Sequence, residues 1–182
     1  MKEDKILEVF NKRYSRNPVL RGLIQLIPYS IGSGIDAALI ATVISIREDR
    51  AKTFFDELDA GKIKLNESLI KSEDFLHKFF VTTKAAFNAR RREKIKLFAY
   101  LLLSSEESGN FSSIDEYEEY LEVLDEITLR ELYILVILDK YVQKYPRASG
   151  DNPLQSVVRF WEEFSKEVTD RLQISLDEFN AI

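Results

Sequence analysis

The stretch "LIPYSIGSGIDAALIATVISI", Leu26 to Ile46, limits what this chain can become more than any other segment. From Gly22 to Ile46 there are 25 residues and a single charge, Asp36. That length could cross ~30 Å of hydrocarbon. One span would hold Asp36 near its centre, at ~2.5–3.5 kcal/mol on insertion scales, with Pro28, Gly32 and Gly34 at similar depth. Folded as a hairpin, each half has about 10–14 residues, a length for buried core helices rather than for spans. "GSG" lacks the further glycine of a dinucleotide loop, and no Gly-Lys-Ser/Thr follows it. The favoured reading is an apolar helical hairpin at the centre of the fold. Asp36 then lies in the first turn of the second helix, where the dipole favours a carboxylate. Between Asp36 and "REDR" lie ten uncharged residues, about 15 Å of helix. They are apolar nearly all round, so they must be covered on every side. Leu39, Ile40, Val43 and Ile44 are the candidates for that core, with excess apolar surface covered by a second copy of the chain. A surface that meets a membrane only on triggering is the alternative.

Elsewhere apolar residues recur at helical spacing, and no run shows sustained two-residue alternation. Six glycines and four prolines in 182 residues leave room for little but helices and short connections. The expected fold is all-α, seven to nine helices in one domain spanning 1–182. An amphipathic helix over 1–17 comes first, then the apolar hairpin and long helix of 18–60. Basic helices fill 62–104 and acidic helices 113–182. Pro18 fits a first turn, Gly61 a helix stop, and Ser72 and Ser113 N-caps. "TLRE" from Thr128 and "SLDE" from Ser175 have capping-box spacing. "DNP" puts Asn152 at a cap and Pro153 at the first helical position.

Catalysis finds few candidates. There is one histidine, His77, and no cysteine. Asp74 and His77 make half of a di-iron carboxylate-x-x-His pattern, which requires two. No G-x-S-x-G elbow is present. The chain is therefore expected to be non-enzymatic, without cofactor or metal, and His77 to be structural. The cysteine-free composition suits a reducing cytosol, and "MKEDKILEVF" is too polar for a secretory signal.

Charge is segregated. Residues 62–104 carry a net +6 and residues 105–182 a net −11. "ARRREKIK" concentrates Arg90, Arg91, Arg92, Lys94 and Lys96, which could hold an anion or an acidic partner. On a continuous helix Arg91 shares a face with Ile95, Phe98 and Leu102, so it would be partly buried and would need a carboxylate. "DEYEEYLEVLDE" supplies several, with Tyr117 and Tyr120 expected as half-buried spacers. Trp161, in a stripe with Leu154, Val157, Val158, Phe164 and Val168, is expected in the core.

The order "LIPYSIGSGIDAAL", "REDRAKTFFDEL", "ARRREKIKLFAYLL", "LRELYILVIL" resembles a group of uncharacterised bacterial all-helical proteins, distantly like the alpha-type abortive-infection proteins of phage defence. The resemblance covers the chain from about Leu20 onward. It implies a bacterial cytosolic helical protein and transfers no catalytic residue. A weaker likeness links "TLRELYILVILDKY" and "SLDEFNAI" to a winged helix, although the helix between them is too long and no wing follows. The expected function is a helical protein–protein interaction or self-association module, a homo-oligomer or one bound to a protein partner. A membrane-directed effector inserting 22–46 is the alternative. A nucleic-acid-binding regulator comes third, because the acidic C-terminal region repels phosphate.

Overall fold

The computed structural model describes residues 2–26, 37–61, 68–107, 110–146, 150 and 152–180, with side chains described outside 2–7, 37–44, 153, 154 and 156. These residues form α1 (Lys2–Arg13), α2 (Pro18–Gln25), α3 (Ala37–Ala60), a 3-10 turn (Leu69–Lys71), α4 (Glu73–Asn88), α5 (Arg92–Ser104), α6 (Ile114–Glu126), α7 (Leu129–Lys144), α8 (Pro153–Val158), α9 (Trp161–Leu172) and α10 (Leu176–Asn180). Among them there is no strand, so the all-α expectation holds. Length points to one domain; the described residues cluster as two compact units, Met1–Asp125 and Glu126–Ile182.

In the first unit α3, α4 and α5 pack mutually. Their buried residues explain why. Ala51, Phe54, Phe55 and Leu58 on α3 fall at i, i+3, i+4, i+7, as do Ile95, Phe98, Ala99 and Leu102 on α5. Phe75, Phe79, Thr82 and Ala86 do the same work on α4. Phe55 is the hub, with ring centroids 6.0 Å from Phe10, 5.6 Å from Phe54 and 6.4 Å from Phe79. Phe10 and Tyr14 of the first helix and its following turn, and Val19, Leu20, Leu23 and Ile24 of α2, close one side. Asn17 caps α2 by accepting from the Leu20 amide at 3.1 Å. Gly61 ends α3, but not by a left-handed turn. A Cβ there would strike Leu103 Cδ1, so closeness to α5 is what the glycine permits.

The second unit has a smaller core of Ile137, Tyr141, Phe160, Phe164 and Val168. The Tyr141 ring lies tilted 5.7 Å from Phe160 and edge-on 5.8 Å from Phe164, joining α7 to α9. The boxes at Thr128/Glu131 and Ser175/Glu178 form as their spacing requires, and Asn152 boxes with Gln155. Phe160, with φ −121° and ψ −2°, separates α8 from α9. That break corrects the expected single stripe. Trp161 is 45% exposed and Val158 75% exposed, because the two helices do not share one face. Trp161 rests on Phe164 and Phe179 at the rim instead.

The expected hairpin turn, "PYSIGSG" over 28–34, lies outside the described residues. Leu39, Ile40, Val43 and Ile44 belong to α3, and their side chains lie outside the described set. No helix among the described residues is long and apolar enough to cross a membrane.

Candidate functional site

The basic run is an elbow, not a helix. α4 stops at Asn88 and α5 starts at Arg92, although no glycine or proline intervenes. Ala89 and Arg91 are both extended, with ψ 135° and 132°. Two contacts from α3 stabilise the break. Arg50 Nη1 donates to the Phe87 carbonyl oxygen at 2.5 Å, capping the last turn of α4. Arg92 Nη2 meets Asp49 Oδ1 at 2.6 Å, drawing the first turn of α5 to the same part of α3. One turn on, Lys96 Nζ lies 2.7 Å from Glu57 Oε1. The Glu57 hydrogen bond holds the Lys96 ammonium above its ordinary value. Lys94 donates instead to the Asp125 carbonyl oxygen, at the electronegative end of α6.

Arg91 requires a correction. The expected burial assumed a continuous helix, and the elbow turns its side chain into solvent at the N-cap of α5. Arg90 is exposed beside it. Neither side chain has a hydrogen bond or ion pair among the described residues. The five cations thus split: Arg92, Lys94 and Lys96 are occupied within the unit, and Arg90 and Arg91 are free.

Beside this elbow α4 and α6 leave an open groove of about 340 Å³, lined by Val81, Lys84, Ala85 and Asn88 and by Glu118, Leu121, Glu122 and Asp125. The spacing of the lining residues on α6 is i, i+3, i+4, i+7, two turns of one face. Its floor is apolar, and one wall carries three carboxylates against one ammonium. At one end His77 Nε2 sits 2.7 Å from Glu118 Oε1, tying the two helices across the surface. Deeper, the Tyr117 hydroxyl meets Thr82 Oγ1. Tyr117 is fully buried and Tyr120 is 55% exposed, so the two spacers are not alike. Burial pushes the Tyr117 hydroxyl well above the ordinary tyrosine range. Lys78 lies over the Tyr117 ring at 5.5 Å and reaches Glu106 Oε1 at 3.4 Å.

The charge segregation is largely local. The acidic helix α6 belongs almost wholly to the unit that holds the basic elbow. That unit has 19 basic and 21 acidic side chains, and the second unit 7 and 10.

A second surface lies on α7. Ile137 and Tyr141 face its core, while Leu129, Leu132, Tyr133 and Val136 form another apolar stripe at i, i+3, i+4, i+7. Tyr133 is 60% exposed and Val136 49% exposed. Sequence reading passed over both surfaces. The stripe was legible as a second period in "LRELYILV", and the groove only as Glu118, Glu122 and Asp125 sharing a face of α6.

Among the described residues no group of three or more His, Asp or Glu side chains could hold a metal ion. Comparison with protein-family models, curated proteins and solved structures gives no significant match to this chain.

Proposed function

We propose that this protein is a non-catalytic helical interaction module whose α7 docks on an apolar surface of a protein partner. The observation that carries this is the second stripe, Leu129, Leu132, Tyr133 and Val136. It has the spacing by which a helix lies in a partner's groove. A solvent-facing helix of a small unit gains nothing from Leu, Tyr and Val on the face turned away from its own core. Exposed Tyr133 and Val136, with half-buried Leu129 and Leu132 beside them, make the kind of apolar surface that marks interaction sites. The engagement of Arg92, Lys94 and Lys96 within the fold argues against a phosphate-binding role for the basic run. In the phage-defence setting that the resemblance suggests, the partner would be another component of the same system.

The test is in-cell crosslinking. A photoreactive residue replacing Tyr133 or Val136 should label one protein species, and the same residue replacing exposed Lys166 should label none. Tyr133→Glu should remove the complex while leaving helix content unchanged. Equal labelling from all three positions would refute the reading. Flotation of the wild-type protein with liposomes, lost in Tyr133→Glu, would assign the stripe to a lipid surface instead.

A further inference from the structure

The groove between α4 and α6 and the free arginines beside it have opposite needs. Glu122 and Asp125 make no side-chain ion pair among the described residues, and Glu118 meets only His77. Lys84 is the one cation among the described lining residues, and it makes no ion pair with a carboxylate among the described residues. The lining carries three carboxylates and one ammonium, a net of two negative charges. Arg90 and Arg91 carry two uncompensated positive charges. They follow Asn88, which lines the groove, by two and three residues. Lys94, one residue short of a turn further along, already reaches Asp125 at the groove's end. Donors and acceptors therefore stand at neighbouring positions of the first unit.

We propose that this face is a two-fold self-association surface, in which Arg90 and Arg91 of each copy lie on the Glu118–Glu122–Asp125 wall of the other. A two-fold axis makes every such contact occur twice, which is how a patch carrying both signs becomes complementary to itself. The guanidinium fork matches a carboxylate in two hydrogen bonds. The arginine stems cover Val81, Ala85 and Leu121, the apolar floor, while their heads meet the acidic wall. Within one chain the extended elbow turns both arginines outward, so this pairing is left to a second copy. The groove is two turns long, and the contact falls at the low end of interface sizes, so the dimer is weak and salt-sensitive. The inference stands on residues of the first unit and is independent of the α7 stripe.

Sedimentation of the full chain across a concentration series tests it. The dissociation constant should rise about tenfold or more between ~50 mM and ~0.5 M salt, as screening removes exposed charge pairs. Two charge-reversed variants decide the geometry. Glu118→Arg/Glu122→Arg alone and Arg90→Glu/Arg91→Glu alone should each be monomeric where the wild type dimerises. Mixed one to one, they should form a heterodimer, because both sets of contacts then join opposite signs. If the first variant loses helix content through the bond to His77, Glu122→Arg/Asp125→Arg makes the same test without it. A wild type monomeric throughout at low salt overturns the proposal, as does a mixture that fails to associate. Binding of a cationic amphipathic peptide in the groove of a monomeric wild type would make the occupant a partner protein, and would also overturn it. Tyr133→Glu serves as the control. It should leave self-association unchanged, and loss of the dimer there, with both reversed variants still dimeric, would move self-association to α7.

Discussion

Asp56 accepts from Arg13 Nε at 2.9 Å, Arg13 Nη2 at 2.8 Å and Tyr14 Oη at 2.8 Å, fastening the end of α1 and the turn after it to α3. Burial alone would push its carboxyl up, but the hydrogen bonds from Arg13 and Tyr14 outweigh burial and hold it below the usual carboxylate range. A depressed carboxyl contributes stability above its unfolded pKa and loses it as pH falls through the folded value. Chemical denaturation of wild type and Asp56→Asn should therefore differ at neutral pH, with the variant less stable. The difference should shrink toward zero as pH drops below the ordinary aspartate range. A difference independent of pH would assign the effect to packing. Thr83 poses the opposite case. Its Oγ1 is buried with no hydrogen-bond partner among the described residues. Thr83→Val removes that unsatisfied hydroxyl and keeps the shape, so it should stabilise by about 1 kcal/mol. At the elbow, Arg91→Ala should change stability by less than about 0.5 kcal/mol, as for surface positions, since no buried pair is broken.

At the scale of elements, the way a helix ends tests two different causes. Gly61 stands where a side chain would strike Leu103, a buried residue of α5. Gly61→Ala should cost about 1–2 kcal/mol through overpacking, and adding Leu103→Val should recover part of it. An ordinary cap glycine would show no such coupling. Gln173 closes α9 in the left-handed region, at φ 53° and ψ 44°. A side chain there costs roughly 1–2 kcal/mol, partly returned by the lower entropy of the unfolded chain. Gln173→Gly should raise the stability of the second unit by up to about 1 kcal/mol, read from urea midpoints. Legibility follows the same division. Thr128/Glu131, Asn152/Pro153 and Ser175/Glu178 could be placed from sequence because the donor, acceptor and helix lie within four residues of one another. The elbow at Ala89–Arg91 could not, since its causes, Arg50 and Asp49, are some forty residues away.

At the scale of the whole molecule, the two cores differ in size. Among the described residues, the first unit joins 21 buried residues and the second five. A described core of five fully packed side chains in a unit of 57 residues is small beside that of the first. Amide exchange should show lower protection across α7 and α9 than across α3, α4 and α5. Phe164→Ala, a cavity in the smaller core, should abolish protection in 126–182 and leave most of 1–125 intact. Uniform loss along the whole chain would mean that the two cores unfold as one.

What the sequence determined by itself is what local physics governs. The helical period sets the all-α class, and short-range caps fix the starts of α2, α4, α7 and α8. The apolar faces of α3 and α5 are legible for the same reason. Tertiary structure alone decided how those faces are cut and turned. The break at Phe160 carried Trp161 to the rim, and the elbow carried Arg91 into solvent. It also brought α6 beside α4, so that Glu118, Glu122 and Asp125 became a groove wall rather than a solvated run. Helical period assigns a residue to a face of its own helix. Which face meets another helix depends on contacts between residues far apart in the chain, and no local pattern encodes those.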